Sequence, residues 1–123
     1  LSLHDALPIC CAQLENLDRY VADKRETAAC YAEFFKGKED ITFFTEPADC
    51  KSNYWLNAVV LKDKAAQLDF LEYTNDHGVM TRPVWELMNR LPMFEHCETD
   101  GLENTEWLAD RVVNIPSSVR LDK

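Results

Sequence analysis

Apolar residues between positions 11 and 36 return at every third or fourth place, the spacing of one face of an α-helix. The pattern predicts one continuous helix of about 26 residues, roughly 39 Å long, which ends at Gly37. A helix of that length is expected to pack on a further domain or subunit, and to expose apolar surface without it. Its apolar face comprises Leu14, Leu17, Val21, Ala28, Tyr31 and Phe35, with Lys24 as the polar interruption.

Short segments rich in β-branched and aromatic residues predict four strands after this helix. The second segment has apolar residues at consecutive positions, which is typical of a central strand buried on both faces. A proline follows three of the four segments and is expected to end each strand. The predicted strands are residues 41–45, 54–61, 79–82 and 112–115.

Three shorter helices are predicted between and after these strands, over residues 64–76, 84–91 and 105–111. Asp63 is expected to cap the first of them, and Gly78 to end it. The order is long helix, two strands, helix, strand, short helices, strand. It predicts an α+β fold with helices on one side of a small mixed or antiparallel sheet. The pattern leaves the strand pairing open.

Length and charge restrict the classes of function. The chain of 123 residues has the length of one domain. Its net charge of −9 argues against a nucleic-acid partner, since such a surface repels phosphate backbones. No apolar run approaches the roughly 20 residues that cross a bilayer. The totals predict a cytoplasmic protein without a nucleic-acid or membrane partner, although local arginines could hold a small anion.

Five cysteines in irregular positions, without a CxxC pair, do not predict a disulfide framework or a zinc ribbon. We expect reduced thiols and no metal site. His96 beside Cys97 supports a thiol or metal enzyme only weakly, because adjacent residues rarely bind one ion together on a regular element.

The segment GVMTRPVW, residues 78–85, carries the clearest candidate chemistry. Pro83 favours an extended backbone at Arg82, which gives this side chain one direction. An arginine placed in this way, with Trp85 three positions on, suits a phosphate or carboxylate beside a flat or apolar group. The alternative is a surface ion pair for Arg82 and core packing for Trp85.

Four blocks in order make the chain resemble the C-terminal domain of the DegT/DnrJ/StrS sugar aminotransferases. They are AQLENLDRYVADKRETAACYAEFF (residues 12–35), NYWLNAVVL (53–61), GVMTRPVWELMNRLPMF (78–94) and WLADRVVNIPSS (107–118). The resemblance covers residues 11–123. Within the family it is nearest the branch that acts on nucleotide-linked 4-keto-6-deoxy sugars, including enzymes for legionaminic-acid-type sugars. Residues 1–10 are interpreted as a non-native start, because LSLHDALPI resembles translated sequencing adapter.

The resemblance implies the small domain of a fold-type-I aminotransferase that works as a homodimer with pyridoxal phosphate (PLP). The intact enzyme would move an amino group, from glutamate, to the keto sugar in bacterial surface-polysaccharide biosynthesis. A large domain outside this chain would carry the Schiff-base lysine, because no lysine here has the family's Ser-x-x-x-x-Lys context. This chain is therefore expected to hold no catalytic and no cofactor-binding residue, and to be inactive alone.

The resemblance also implies substrate-binding residues. Arg82 would meet a phosphate or sugar oxygen of the nucleotide sugar, Trp85 would shape the pocket, and Tyr54 in the NYW block is a weaker candidate. Core packing is the alternative for Tyr54, as for Trp85. A different class of function, a free-standing acidic scaffolding module that docks a partner through the long amphipathic helix, stays open. The coding sequence upstream would distinguish the two hypotheses.

Overall fold

The computed structural model describes residues 3–120, and side chains from residue 7 onward. This part of the chain contains helices α1 and α2, two strands, helix α3, a third strand, a short 3₁₀ helix, helix α4 and a last strand. In chain order they are α1 (Leu3–Leu14), α2 (Leu17–Phe35), β1 (Ile41–Phe43), β2 (Asn57–Leu61), α3 (Lys64–Asp76), β3 (Arg82–Pro83), the 3₁₀ helix (Met88–Arg90), α4 (Glu103–Ala109) and β4 (Val112–Ile115).

The four strands form one antiparallel sheet in the order β1-β2-β4-β3. Val59 in β2 lies opposite Phe43 on one side and Val113 on the other. Pro83 in β3 pairs with Val113. The predicted α+β fold with a small sheet is confirmed, and β2 has a neighbour on each side, as its sequence indicated.

The predicted single helix over residues 11–36 is wrong in one respect, because it is broken at Asn16. The Asn16 side chain donates to the backbone oxygen of Ala12 at 2.9 Å, and its backbone N–H bonds to Gln13 at 3.1 Å. An asparagine that bonds to the preceding turn competes with the regular helical ladder. The chain therefore turns between Leu14 and Leu17, and α2 has 19 residues. Residues 3–10 belong to α1, and their assignment as a non-native start stays a prediction.

The core lies on one face of the sheet. Because side chains alternate between faces along a strand, the paired residues of β1, β2 and β4 project together. Helices α2 and α3 both cover this face, so the prediction of helices on one side holds. The buried apolar residues are Ala28, Phe43, Val59, Leu61, Val113 and Ile115, and Tyr31, Phe35, Phe70 and Leu71 pack against them. On the other face, Ala58 and Val60 are only half-buried, so the prediction that β2 is buried on both faces holds for one face.

Apolar side chains that the core does not use remain on α1 and α2. Leu14, Leu17 and Phe34 are 66%, 49% and 65% exposed. These exposures agree with the expectation of unpaired apolar surface along the predicted long helix. Isolated exposed apolar residues are common, so these three by themselves do not define a contact surface.

The segment around Pro83 differs from the prediction. The strand begins at Arg82 and includes Pro83, which the sheet tolerates because β3 is an edge strand and needs no hydrogen bond on its outer side. Residues 84–91 do not form the predicted α-helix. Only Met88–Arg90 is helical, as a 3₁₀ turn, and Leu91 before Pro92 is extended with ψ of 134°, as the residue preceding a proline usually is.

The ends of α3 agree with the prediction. The Asp63 carboxylate accepts a hydrogen bond from the backbone N–H of Ala66 at 2.8 Å, so it caps the helix. Gly78 follows the helix with φ of +77°, a conformation that glycine adopts without strain. The helix predicted over residues 105–111 is observed two residues earlier, at Glu103–Ala109.

Gln67 of α3 is fully buried and joins this helix to the end of α4 and the start of β4. Its Nε2 donates to the backbone oxygens of Ala109 and Val112, both at 2.9 Å. The Lys64 ammonium donates to its Oε1 at 2.8 Å. A buried amide that satisfies two carbonyl groups is costly to replace, because both acceptors would be left without a partner.

We expect Gln67→Met, which keeps the size of the side chain, to lower the free energy of unfolding by about 2 kcal/mol. Urea denaturation measures the change. Gln13→Met on the exposed surface of α1 is the matched control and should change stability little. Equal effects of the two substitutions would contradict the structural role given to Gln67.

Candidate functional site

Arg82 and Trp85 lie together on an open groove of about 420 Å³. Strand β3 brings Arg82 opposite Asn114 of β4, and Trp85 follows the strand after one intervening residue. The sequence analysis named both residues, and the structure brings them together. The remaining lining residues are Leu56, Met80, Pro83, Asn114 and Ile115.

The groove is mostly apolar and exposed. Trp85 is 71% and Met80 66% exposed, so core packing, the alternative considered for Trp85, is not what the structure has. Ligand sites typically combine apolar and aromatic walls with a few polar groups that fix orientation. In this groove the polar side chains are Arg82 and Asn114.

The Arg82 guanidinium keeps its charge available. Its Nη1 donates to the backbone oxygen of Thr81 at 3.0 Å and to Oδ1 of Asn75 at 3.3 Å. Both acceptors are neutral, and within residues 7–120 no carboxylate lies in ion-pair reach of Arg82. Among these residues, the surface ion pair considered as an alternative is therefore not formed. An uncompensated arginine beside an exposed aromatic ring can bind an anion that carries a flat or apolar group.

Tyr54 does not line this groove. It lies outside β2, with φ of +46°, whereas the sequence predicted a strand from this residue onward. Its ring packs against Phe43 of the core with centroids 6.4 Å apart, and its hydroxyl accepts the backbone N–H of Glu46 at 3.1 Å. Leu56, two residues later, lines the groove instead. A substrate contact by Tyr54 stays a prediction.

Tyr54 belongs to a charged cluster that sequence analysis missed. Arg25 binds both carboxylate oxygens of Glu46, at 2.6 Å and 3.0 Å, and its guanidinium lies over the Tyr54 ring at 5.6 Å. The backbone N–H of Ser52 also donates to Glu46. The cluster thus fixes the loop between β1 and β2 to α2. No sequence signal could find it, because the ion pair joins residues 21 positions apart.

These contacts favour the charged form of Glu46. The hydrogen bond from Arg25, and then the one from Ser52, lowers the pKa of the Glu46 carboxyl from 4.5 to about 2. The same hydrogen bond raises the pKa of Arg25 above its usual value. The loop that leads into β2 is therefore held by charge over the whole neutral and mildly acidic range.

The pKa of Glu46 predicts how stability depends on pH. Since its pKa is lowered in the folded state, the stability that Glu46 contributes is complete above pH 4.5. It declines below that value and is lost as pH falls through about 2. The difference in urea midpoint between the wild type and Glu46→Gln should follow this course.

Glu33→Gln is the control for this measurement, because Glu33 pairs with Lys36 at 3.4 Å on the exposed surface and such pairs contribute little. A difference at Glu46 that does not change between neutral pH and pH near 2 would contradict the assignment.

A second groove, also of about 420 Å³, lies between residues 86 and 105. Its walls are Leu87, Met88, Phe94 and Leu102, and the exposed Cys97 borders it. Glu86 and Glu98 are its charged residues and it has no cationic lining, so an anion would find no partner there.

The metal and thiol hypothesis receives no support from the geometry. Among residues 7–120, no three His, Cys, Asp or Glu side chains lie close enough to hold one metal ion. The five cysteines are free and exposed.

Within the described chain, no helix is both long and apolar enough to cross a membrane.

Most of the described lysines have partners within this chain. Lys24 donates to the backbone oxygens of Ser117 and Trp55. The ammonium groups of Lys36, Lys62 and Lys64 pair with surface carboxylates, and Lys38 lies over the Phe34 ring. None of them, nor Lys51, lines either of the two grooves. Lys123 lies outside the described residues.

Comparison with known proteins finds aminotransferases. EpsN of Bacillus subtilis (strain 168), named a pyridoxal phosphate-dependent aminotransferase, is 27% identical over 110 residues, which are 86% of this chain and 28% of that protein. The sugar aminotransferase CalS13 of Micromonospora echinospora is 25% identical with a TM-score of 0.74, over 89% of this chain and 29% of that one.

A third relative supports the fold. The aminotransferase TlmJ of Streptoalloteichus hindustanus superimposes with a TM-score of 0.81 at 21% identity, over 91% of this chain and 30% of that one. The chain thus spans less than a third of the length of each of these relatives. The sequence profile of the DegT/DnrJ/EryC1/StrS aminotransferases matches residues 6–123. Since this match covers nearly the whole sequence, the chain belongs to the DegT/DnrJ/EryC1/StrS aminotransferase family.

Proposed function

We propose that this chain forms the substrate-side small domain of a PLP-dependent aminotransferase that acts on a nucleotide-linked 4-keto-6-deoxy sugar. Glutamate is the amino donor, the intact enzyme is a cytoplasmic homodimer, and the product enters bacterial surface polysaccharide. The legionaminic-acid-type branch is our choice within the family, on the four sequence blocks that resemble it.

One observation carries the proposal, namely the uncompensated Arg82 beside the exposed Trp85 on an apolar groove. A nucleotide sugar offers two phosphates and two flat or partly apolar groups, the base and the sugar. Arginine binds two phosphate oxygens at once through its planar fork, and a tryptophan face packs on a ring. Membership of an aminotransferase family makes such a substrate the simplest occupant of this groove.

The proposal divides the chemistry between this chain and the rest of the protein. When PLP is bound, it withdraws electrons from the substrate, and the protein supplies binding and orientation. The resemblance implies a Schiff-base lysine in a large domain outside this chain, so we place the anchor in the polypeptide that the longer relatives have in addition. This chain would hold the phosphate with Arg82, orient the sugar against Trp85 and exclude water with Leu56 and Met80.

We expect the purified 123-residue chain to show no aldimine absorbance after incubation with PLP, and no transamination of a nucleotide-linked 4-keto-6-deoxy sugar with glutamate. The protein expressed from the complete coding sequence should show aldimine absorbance and transamination. Absorbance spectra and a coupled assay of 2-oxoglutarate measure the two properties. A reducible lysine–PLP adduct on the short chain would contradict the division of labour.

In the intact protein, Arg82→Ala should raise KM for the nucleotide sugar by about tenfold to a hundredfold, the usual effect of losing hydrogen bonds to a charged group. We expect kcat to change much less, because the contact is present before and during the reaction. Arg19→Ala is the control, since Arg19 is an exposed arginine of α2 that lies over Tyr20. Unchanged KM in Arg82→Ala would exclude this groove as the phosphate site.

A further inference from the structure

We infer that Asn75, at the end of α3, is a positioning residue that holds the Arg82 guanidinium so that its Nε–Nη2 edge is free for two oxygens of an anion. The inference rests on the proposed function. It names the residue that keeps the Arg82 side chain in one orientation.

The orientation of the Asn75 amide follows from its neighbours. Its Nδ2 lies 2.8 Å from the backbone oxygen of Leu71 and 3.2 Å from that of Thr81. Backbone oxygens only accept hydrogen bonds, so the amide nitrogen must face them. The Asn75 Oδ1 is therefore the atom that faces Arg82, whose Nη1 donates to it at 3.3 Å.

The amide is held on a further, buried support. Of the two Asn75 Nδ2 hydrogens, one goes to Leu71, and the other is shared between the backbone oxygen of Thr81 and its hydroxyl oxygen, the latter at 2.9 Å. Thr81 is 1% exposed. The Thr81 and Thr74 hydroxyl oxygens are 2.6 Å apart, and Thr74 donates to the backbone oxygen of Phe70 at 2.7 Å. Because the Thr74 hydrogen goes to Phe70, Thr81 donates to Thr74 and its own oxygen is left to accept from Asn75.

These contacts leave one edge of the guanidinium for a ligand. Both N–H groups of Arg82 Nη1 are directed to acceptors, the oxygens of Thr81 and Asn75. Neither Nε nor Nη2 has a hydrogen-bond partner among the described residues. The edge formed by these two nitrogens is one that binds two oxygens of a phosphate or carboxylate side by side.

A fixed guanidinium loses less freedom when the anion binds. Arginine has many rotamers, and ordering one such side chain on binding weakens affinity by about two- to tenfold. Asn75 would order Arg82 in advance, although Asn75 itself touches no ligand.

The first test needs no ligand. In the free chain, NMR relaxation of the Arg82 Nε–H should show an ordered side chain in the wild type and a mobile one in Asn75→Ala. Asn104→Ala, in the exposed helix α4, is the matched control and should leave Arg82 ordered. Equal order of Arg82 in the wild type and Asn75→Ala, or an equal loss of order in Asn75→Ala and Asn104→Ala, would overturn the inference.

The second test uses uridine diphosphate as the probe with the intact protein, followed by the fluorescence of its tryptophans or by calorimetry. Arg82→Ala should weaken binding about tenfold or more, and Asn75→Ala about two- to tenfold. Weaker binding in Arg82→Ala with unchanged binding in Asn75→Ala would overturn the inference and leave the proposed function standing. No loss in Arg82→Ala would overturn the phosphate role in the proposed function, and the inference with it.

Discussion

The antiparallel pairing of β2 with β4 is the constraint on which the other features depend. Val59 and Val113 lie opposite each other, and both are completely buried. The pairing joins segments that are far apart in the chain, and it gives β1 and β3 the edges along which they form. If this register slipped by one residue, every side chain of the strand would change faces. The core under α2 and α3 and the groove beside Arg82 would then be lost together.

Alternation along the strands separates most core residues from the groove, although Ile115 belongs to both. Asn57, Val59 and Leu61 project toward the helices and are buried. Leu56 lines the groove, and Arg82 is paired with Asn114 rather than with Val113. Tyr54 lies before β2 with a positive φ, and it packs on the helix-covered side. Tyr54 and Leu56, two positions apart, have different surroundings because Tyr54 lies outside the regular strand with φ of +46°.

The parts of this fold that local rules determine could be predicted from the sequence. The central strand β2, the cap at Asp63 and the stop at Gly78 follow from propensity and periodicity. The extended backbone at Arg82 follows from Pro83. The break at Asn16 could not be predicted, because it depends on one side chain that bonds to the preceding turn instead of to solvent. Residues 84–91 do not form an α-helix, and Pro92 was a signal against one. The prediction followed the apolar spacing instead, which was wrong.

For the site, the sequence indicated Arg82 and Trp85 because they are close in the chain. It could not indicate Leu56, Asn75 or Asn114, since tertiary contacts alone bring these residues to the groove or to Arg82. The Arg25–Glu46 pair was missed for the same reason. Distance along the chain, rather than the chemistry of the side chains, separated the residues that were found from those that were not.

The position of Pro83 in an edge strand of only two residues has a consequence for association between molecules. An exposed strand edge invites another chain to add to the sheet, and natural proteins discourage this with short edges and proline. Pro83 has no N–H to offer to an incoming strand. The border of the sheet beside Arg82 is thus protected from extension by a foreign strand, and the groove beside it stays open to solvent.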